Sequence, residues 1–160
     1  FVYNENYDQT NTSKSLLKAL RAAHDGGVLW LNGDVVFDHR VLERVKDRIV
    51  SEKSFVCVNT SSVGEEEVKY TVDSQGNIKE LSKKVQNALG EAVGIKFISN
   101  TDKNSAIKYL EECADNDYFE RGLELAIEKS GIKIEPVDIS DLFAVEVDFQ
   151  ADLDRANSQI

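Results

Sequence analysis

Two short acidic motifs follow apolar runs of the kind that form buried strands. Asn32-Gly33-Asp34 comes directly after Val28–Leu31, and Glu146-Val147-Asp148 ends a run that begins at Phe143. In open α/β sheets, ligands bind beyond the carboxyl ends of strands. Mg²⁺ prefers oxygen ligands and needs few from the protein because it keeps several waters. These motifs therefore supply candidate cation ligands.

Within the motifs, the candidate ligands are Asp34, Asp148 and Glu146. Strand alternation puts Glu146 and Asp148 on one face, where they repel each other unless a cation or hydrogen-bond donors compensate. Gly33 would let the backbone come close to a ligand. Each motif also has an ordinary interpretation, because Gly33-Asp34 can form a turn and the second pair can be a solvated acidic edge.

Two further segments carry charged side chains that suit a phosphorylated ligand. Lys83-Lys84 follows the strand-like run Ile78–Leu81, where a lysine can meet a phosphate as a point charge or remain solvated. Glu91 stands between Gly90 and Gly94 at the entrance of a strand. Its carboxylate could bind a substrate hydroxyl or amine, or it could cap a turn.

A third segment, Asp117-Tyr118-Phe119-Glu120, opens a helical pattern. Asp117 as the N-cap and Glu120 as the third helical residue would form a capping box. That explanation accounts for both acids, although Tyr118 and Glu120 could still face a pocket.

The composition excludes some classes of partner. The formal net charge of −10 argues against nucleic acid or an anionic membrane as the main partner. No apolar run approaches the roughly 20 residues that span a bilayer. Cys57 and Cys113 are isolated and have no metal-binding spacing, which indicates reduced, buried thiols and a cytoplasmic protein. The oligomeric state stays open.

The elements that must position these side chains alternate between strand and helix patterns. The predicted strands are Phe1–Asn4, Val28–Asn32, Ser54–Asn59, Val68–Val72, Ile78–Leu81, Ala92–Ile98, Ile132–Val137 and Phe143–Val147. The predicted helices are Ser13–His24, His39–Ser51, Asn104–Asn116, Tyr118–Ser130 and Gln150–Asn157.

This alternation predicts one α/β domain over residues 1–160. Its Rossmann-like sheet would be mixed and mostly parallel, with helices on both faces and an antiparallel hairpin around Gly76. The chain contains no Met and begins with Phe1-Val2-Tyr3. We therefore expect that it is a fragment and that the sheet is incomplete at its N-terminus.

The order of the motifs resembles that of the bacterial nucleotidyltransferases, which include the phosphocholine cytidylyltransferases and the sugar-phosphate nucleotidyltransferases. The resemblance covers nearly the whole chain. It rests on the segments Asn4–Leu16, Leu31–Phe37, Glu65–Tyr70, Leu81–Lys84, Gly90–Ile95, Asp117–Glu120 and Val145–Leu153. The family's glycine-rich phosphate-binding segment would precede Phe1 and is not part of this sequence, so we expect the fragment alone to be inactive.

The resemblance implies a GT-A-type fold and Mg²⁺-dependent transfer of a nucleotidyl group from an NTP to a phosphorylated small molecule, with release of pyrophosphate. CTP is the donor that we expect first, and phosphocholine, a polyol phosphate or a sugar 1-phosphate is the acceptor. It implies the following roles: catalysis by Asp34, Asp148 and Lys83; metal binding by Asp34, Asp148 and Glu146; nucleotide binding by Asn11, Ser15 and Gly33; acceptor binding by Glu91, Gly94, Tyr118 and Glu120.

Two other functions stay open. A nucleotide-sugar glycosyltransferase of related fold usually carries Asp-x-Asp after the strand, whereas this chain has Asn32-Gly33-Asp34. A non-catalytic domain of the same fold could bind a nucleotide or a partner for regulation.

Overall fold

One long strand, most of it buried, organises the chain. In the computed structural model, which describes residues 1–61, 63–64 and 67–159, this strand spans Gly90–Ile98. Its apolar side chains alternate between two cores: Ala92 and Ile98 belong to one, and Val93, Ile95 and Phe97 to the other. A strand covered on both faces is expected to be apolar throughout. Lys96 is the exception, and it is 1% exposed.

Eight strands and five helices are present among the described residues. The strands are β1 (Val28–Leu31), β2 (Val35–Phe37), β3 (Phe55–Asn59), β4 (Lys69–Val72), β5 (Ile78–Ser82), β6 (Gly90–Ile98), β7 (Glu135–Asp138) and β8 (Ala144–Glu146). The helices are α1 (Thr12–Ala22), α2 (Arg40–Val50), α3 (Asn100–Glu112), α4 (Phe119–Ser130) and α5 (Gln150–Asn157).

The main sheet has the order β5-β4-β6-β3-β7, and β1 also pairs with β6. β1, β3 and β4 run antiparallel to β6, and β7 runs parallel to β3. Four of the six strands therefore share one direction, while β5 and β6 run the other way. The helices α1, α3 and α4 cover one face through the first core, and α2 covers the other. The α/β class with a mixed sheet and helices on both faces is confirmed.

β1 and β4 lie on the same edge of β6. Phe97 pairs with both β1 and β3, and Glu91 pairs with both β3 and β4. Because β3 occupies one edge, β1 and β4 must share the other. The backbone N–H of Asn32 donates to the Gly94 carbonyl (2.8 Å), and that of Ala92 donates to the Val68 carbonyl (2.7 Å). Between these contacts the sheet is split, with the end of β1 facing the start of β4.

Several sequence predictions were wrong in detail. Phe1–Asn4 is not a strand: Phe1, Val2 and Tyr3 are exposed and pair with no strand among the described residues. An apolar run forms a strand only where a neighbour takes its backbone hydrogen bonds. Strand β2 was missed, because three residues are too few to show alternation.

Helix starts also differ from the prediction. Helix α1 begins at Thr12 with Asn11 as its N-cap, so Ser13, the predicted first residue, lies buried inside the helix. Helix α3 begins at Asn100, four residues before the predicted start, because the Ser99 hydroxyl caps it by accepting from the backbone N–H of Asp102. Side-chain capping of this kind satisfies N–H groups that have no partner within the helix.

Both cysteines are free and buried, as the sequence indicates. Burial raises the pKa of Cys57 to about 12, and burial also raises the pKa of Cys113. Only the thiolate is nucleophilic. We therefore expect neither thiol of the native protein to react with Ellman's reagent at pH 8, and both to react once urea unfolds the chain. Rapid labelling of the native protein would contradict this placement.

Candidate active site

A cavity of about 560 Å³ opens at the split in the sheet. This volume is typical of a site for a small molecule. Its lining residues come from α1, the end of β1 and the loop after it, the residues just before β4, the residue after β5, the start of α4, and the end of β8 with the loop after it. They are Thr12, Ser15, Leu16, Ala19, Trp30, Leu31, Asn32, Gly33, Asp34, Glu67, Val68, Lys83, Tyr118, Phe119, Glu120, Glu146 and Asp148.

The small sheet β2–β8 brings the two acidic motifs together. Val35 pairs with Glu146, and the backbone N–H of Val147 donates to the Asp34 carbonyl at 2.9 Å. Asp34 and Asp148 are both exposed and both line the cavity. Residues far apart in the chain therefore meet through the antiparallel pairing.

Glu146 is the best-anchored carboxylate of this group. Its Oε1 accepts from Asn32 Nδ2 at 3.4 Å, and its carboxylate also accepts from the backbone N–H of Gly94. Burial raises the pKa of Glu146 to about 7; the Glu67 and Asp34 carboxylates add to the rise, while Lys96 opposes it. The ionised form of Glu146 is thus disfavoured mainly by burial and further by two neighbouring carboxylates.

Glu67 is a site residue to which the sequence analysis gave no role. It is partly buried and lines the cavity at the start of β4. Burial, followed by the nearby carboxylates of Glu91 and Asp148, raises the pKa of Glu67. The acidic triplet before Val68 was the only signal in the sequence; its other two members, Glu65 and Glu66, lie outside the described residues.

Lys83 and Tyr118 line the main cavity together with the carboxylates and contact each other. Lys83 Nζ lies 5.6 Å from the centroid of the Tyr118 ring, within the range of a cation–π interaction. Both residues also line an adjoining cavity of about 500 Å³. Lys84, Arg121 and Glu124 line this adjoining cavity as well.

Glu120 lines both of these cavities and is 6% exposed. Its Oε1 is 3.5 Å from Lys96 Nζ. The predicted capping box is wrong: α4 begins at Phe119 with Tyr118 at the N-cap, and the Asp117 carboxylate accepts from the backbone N–H of Ala114 instead.

Of the two residues of α1 and its N-cap that were predicted to bind the nucleotide, one lines the main cavity and the other does not. Ser15 lines the main cavity and accepts from Asn4 Nδ2 at 3.0 Å. Asn11 is outside the lining: its side chain accepts from the Thr12 N–H and donates to the Asn116 carbonyl. It therefore anchors α1 to the segment between α3 and α4.

Glu91 faces a neighbouring cavity of about 440 Å³ rather than the main one. Its carboxylate accepts from Asn59 Nδ2 at 3.3 Å and from the backbone N–H of Gly64 at 3.1 Å. The two cavities share Glu67, Glu146 and Asp148. Glu91 thus fixes the segment next to the carboxylates.

Gly33 and Gly94 differ in what surrounds them. A Cβ added at Gly33 would meet nothing within 4 Å, so the backbone there is open to a ligand. A Cβ at Gly94 would lie 2.7 Å from Glu146 Oε1 and 2.8 Å from Asn32 Cβ. Glycine is required at position 94 for Glu146 to approach β6.

The change Gly94→Ala should therefore displace Glu146 and lower turnover on the order of 10²-fold, since small misplacements at a reacting centre have effects of that size. The control is Gly76→Ala, at a hairpin position with φ +84 and no atom near the added Cβ. The control should lose about 1 kcal/mol of stability without losing turnover. Equal turnover in both variants would contradict the role of Gly94.

No protein-family model matches the chain, and no curated protein matches it. Solved structures do. The inositol-1-phosphate CTP transferase from T. maritima has a TM-score of 0.77 and 13% identity over 98% of this chain and 64% of its own. A putative glucose-1-phosphate thymidylyltransferase from Bacillus anthracis has a TM-score of 0.71. Its sequence identity is 15%, over 99% of this chain and 63% of its own.

A third match is the CTP:phosphocholine cytidylyltransferase from Streptococcus pneumoniae. Its TM-score is 0.69 and its identity 10%, over 98% of this chain and 66% of its own. The chain thus spans just under two thirds of the length of each of these three proteins. At these identities the similarity concerns the architecture. The chain has the fold of the sugar-phosphate and phosphocholine nucleotidyltransferases.

Proposed function

We propose that the protein transfers a nucleotidyl group from an NTP to a phosphorylated small molecule and releases pyrophosphate. The observation that carries the proposal is the cavity at the split sheet. The carboxylates of Asp34, Glu146 and Asp148 and the ammonium group of Lys83 all line it. Such a cavity suits two phosphate groups, one bound through a cation and one bound by a lysine.

The carboxylates of this cavity fit Mg²⁺. Among the described residues, no group of three or more Asp, Glu, His or Cys side chains is placed to hold a metal ion by itself. Mg²⁺ does not need such a cage, because one or two carboxylates, waters and substrate phosphates complete its shell. Burial and, less strongly, the neighbouring carboxylates raise the pKa values of Glu146 and Glu67, and a bound cation would favour the ionised form of both groups. Asp34 and Asp148, with Glu146 beside them, would hold the ion.

The chain's own groups would act mainly by positioning. Lys83 would hold the acceptor phosphate so that one of its oxygens faces the α-phosphorus of the NTP in line with the pyrophosphate leaving group. A new phosphorus–oxygen bond forms as the bond to pyrophosphate breaks. A phosphate is already ionised at neutral pH, so no general base is required. When bound, Mg²⁺ would supply electrophilic stabilisation of the charge that develops on the phosphate oxygens.

The test is a screen of the full-length protein with the four common NTPs against inositol 1-phosphate, glucose 1-phosphate and phosphocholine. We expect pyrophosphate release that depends on both an acceptor and Mg²⁺. Release of a free nucleoside diphosphate from a nucleotide sugar would instead identify a glycosyltransferase. Nucleotide binding without turnover for any pair would favour the non-catalytic alternative.

A further inference from the structure

A buried ion pair, Lys96–Glu120, lies at the part of the cavity that Lys83 and Tyr118 also line, where the acceptor would bind. We call this pair the floor of the acceptor side. Lys96 and Glu120 are 1% and 6% exposed, and Lys96 Nζ lies 3.5 Å from Glu120 Oε1. Lys96 Nζ also donates to the Val93 carbonyl at 3.3 Å. Glu120 lines both the main cavity and the adjoining one. Removing either partner would leave the other charge buried and uncompensated, which is costly.

A lysine lies over each of two aromatic rings near this floor. Lys96 Nζ lies 4.7 Å from the centroid of the Phe119 ring, and Lys83 Nζ lies 5.6 Å from that of Tyr118. A quaternary ammonium group is recognised by aromatic faces that it can approach directly. In this chain Lys96 takes that position on the buried Phe119 ring, and Lys83 lies over one face of the half-exposed Tyr118 ring.

The remaining acids around the adjoining cavity are also engaged. The Asp117 carboxylate accepts from the backbone N–H of Ala114 at 2.8 Å. The Glu124 carboxylate accepts from the Leu81 N–H at 3.0 Å and pairs with Arg121 at 3.4 Å. Each of these acids therefore has a partner within the protein, which weakens its pull on a cationic ligand.

Resting on the proposed function, we propose that Lys96 is a specificity-determining residue. Its pairing with Glu120 makes the floor neutral and selects an acceptor phosphate whose body is an uncharged, hydroxylated group rather than a quaternary ammonium. A carboxylate offers about four lone-pair sites. Glu120 can thus accept hydrogen bonds from hydroxyl groups of the acceptor while it remains paired with Lys96.

The experiment compares kcat/KM for inositol 1-phosphate and for phosphocholine in the full-length protein and in Lys96→Met. The wild type should favour inositol 1-phosphate by roughly 10-fold or more, the range that a charge or cation–π contact supplies. Lys96→Met leaves the Glu120 carboxylate without its ion-pair partner, while the methionine side chain keeps the Phe119 ring buried. It should shift the ratio toward phosphocholine by roughly 10- to 100-fold, through the KM for the acceptor. The KM for the NTP should not change.

Two variants separate specificity from folding. Lys103→Met removes another buried lysine, which donates to the His24 and Gly26 carbonyls away from both cavities, and should leave the ratio unchanged. Lys96→Met/Glu120→Gln removes both charges, and should keep the preference for the uncharged acceptor. If Lys96→Met does not fold, the ratios of the wild type and the double variant are compared. A preference for inositol 1-phosphate in both supports the inference, and its loss in the double variant overturns it.

The inference is overturned if the wild type prefers phosphocholine, or if a folded Lys96→Met leaves the ratio unchanged while pyrophosphate is released. Calorimetric titration of both acceptors into each protein separates failure of the inference about Lys96 from failure of the proposed function. If no acceptor supports turnover, Lys96-dependent preference in binding still supports the inference, and binding of both acceptors with equal affinity or of neither refutes it.

Discussion

Replacing Asp34 or Asp148 by alanine should lower the rate of pyrophosphate release by roughly 10³-fold or more, because the charge stabilisation that a catalytic metal supplies is worth several kcal/mol. Both side chains are exposed and line the main cavity, so neither supports the core. The free energy of unfolding should stay the same or rise, since each change removes one of several like charges.

The measurement is the rate of pyrophosphate release at saturating substrates over a range of Mg²⁺ concentrations, together with urea unfolding. Asp47→Ala is the matched control, because Asp47 is exposed on α2 and lines neither the main cavity nor the adjoining one. This control should retain the wild-type rate. Near-normal turnover of the Asp34 or Asp148 variant would refute the metal assignment, and a matching loss of stability would reassign these residues to folding.

Replacing Phe55 by alanine should lower the free energy of unfolding by about 3–5 kcal/mol, the usual cost of truncating a fully buried aromatic side chain. Phe55 is 0% exposed and stacks on Phe97 with the ring centroids 5.7 Å apart. It belongs to the core between β3, β6 and α2, which includes Val41 and Val45. The truncation would leave a cavity that these neighbours cannot fill.

Urea denaturation followed by circular dichroism measures this effect. The control is Val50→Ala, since Val50 lies at the end of α2 and is 76% exposed. That variant should change the free energy of unfolding by less than about 0.5 kcal/mol. A loss below about 1 kcal/mol for Phe55→Ala would contradict the packing of this core.

Much of the local structure could be predicted from the sequence. Val28–Leu31 and the run before Glu146 have the continuous apolar pattern of buried strands, and both form strands. Periodicities of 2 and 3.6 residues are properties of a short window, so they indicate element type without knowledge of partners. For the same reason, the sequence alone placed Asp34 and Asp148 at strand ends.

The tertiary structure decided which elements meet. The pairing of β1 and β4 along one edge of β6 opens the cavity and puts Glu67 beside Asp148. The sequence could not show this, because strand neighbours are selected by long-range packing and hydrogen bonding rather than by the residues of either strand.

Lys96 shows most clearly that the sequence does not reveal which side chains meet. In the sequence it is one basic residue inside the apolar run of β6, and alternation puts it on the side covered by α4. Only the fold brings Glu120 to it and Phe119 over it. Local sequence patterns predict most of the strands and helices and the acids at the strand ends. The meeting of the charges was decided by tertiary packing, since a buried ion pair depends on two elements that no local pattern connects.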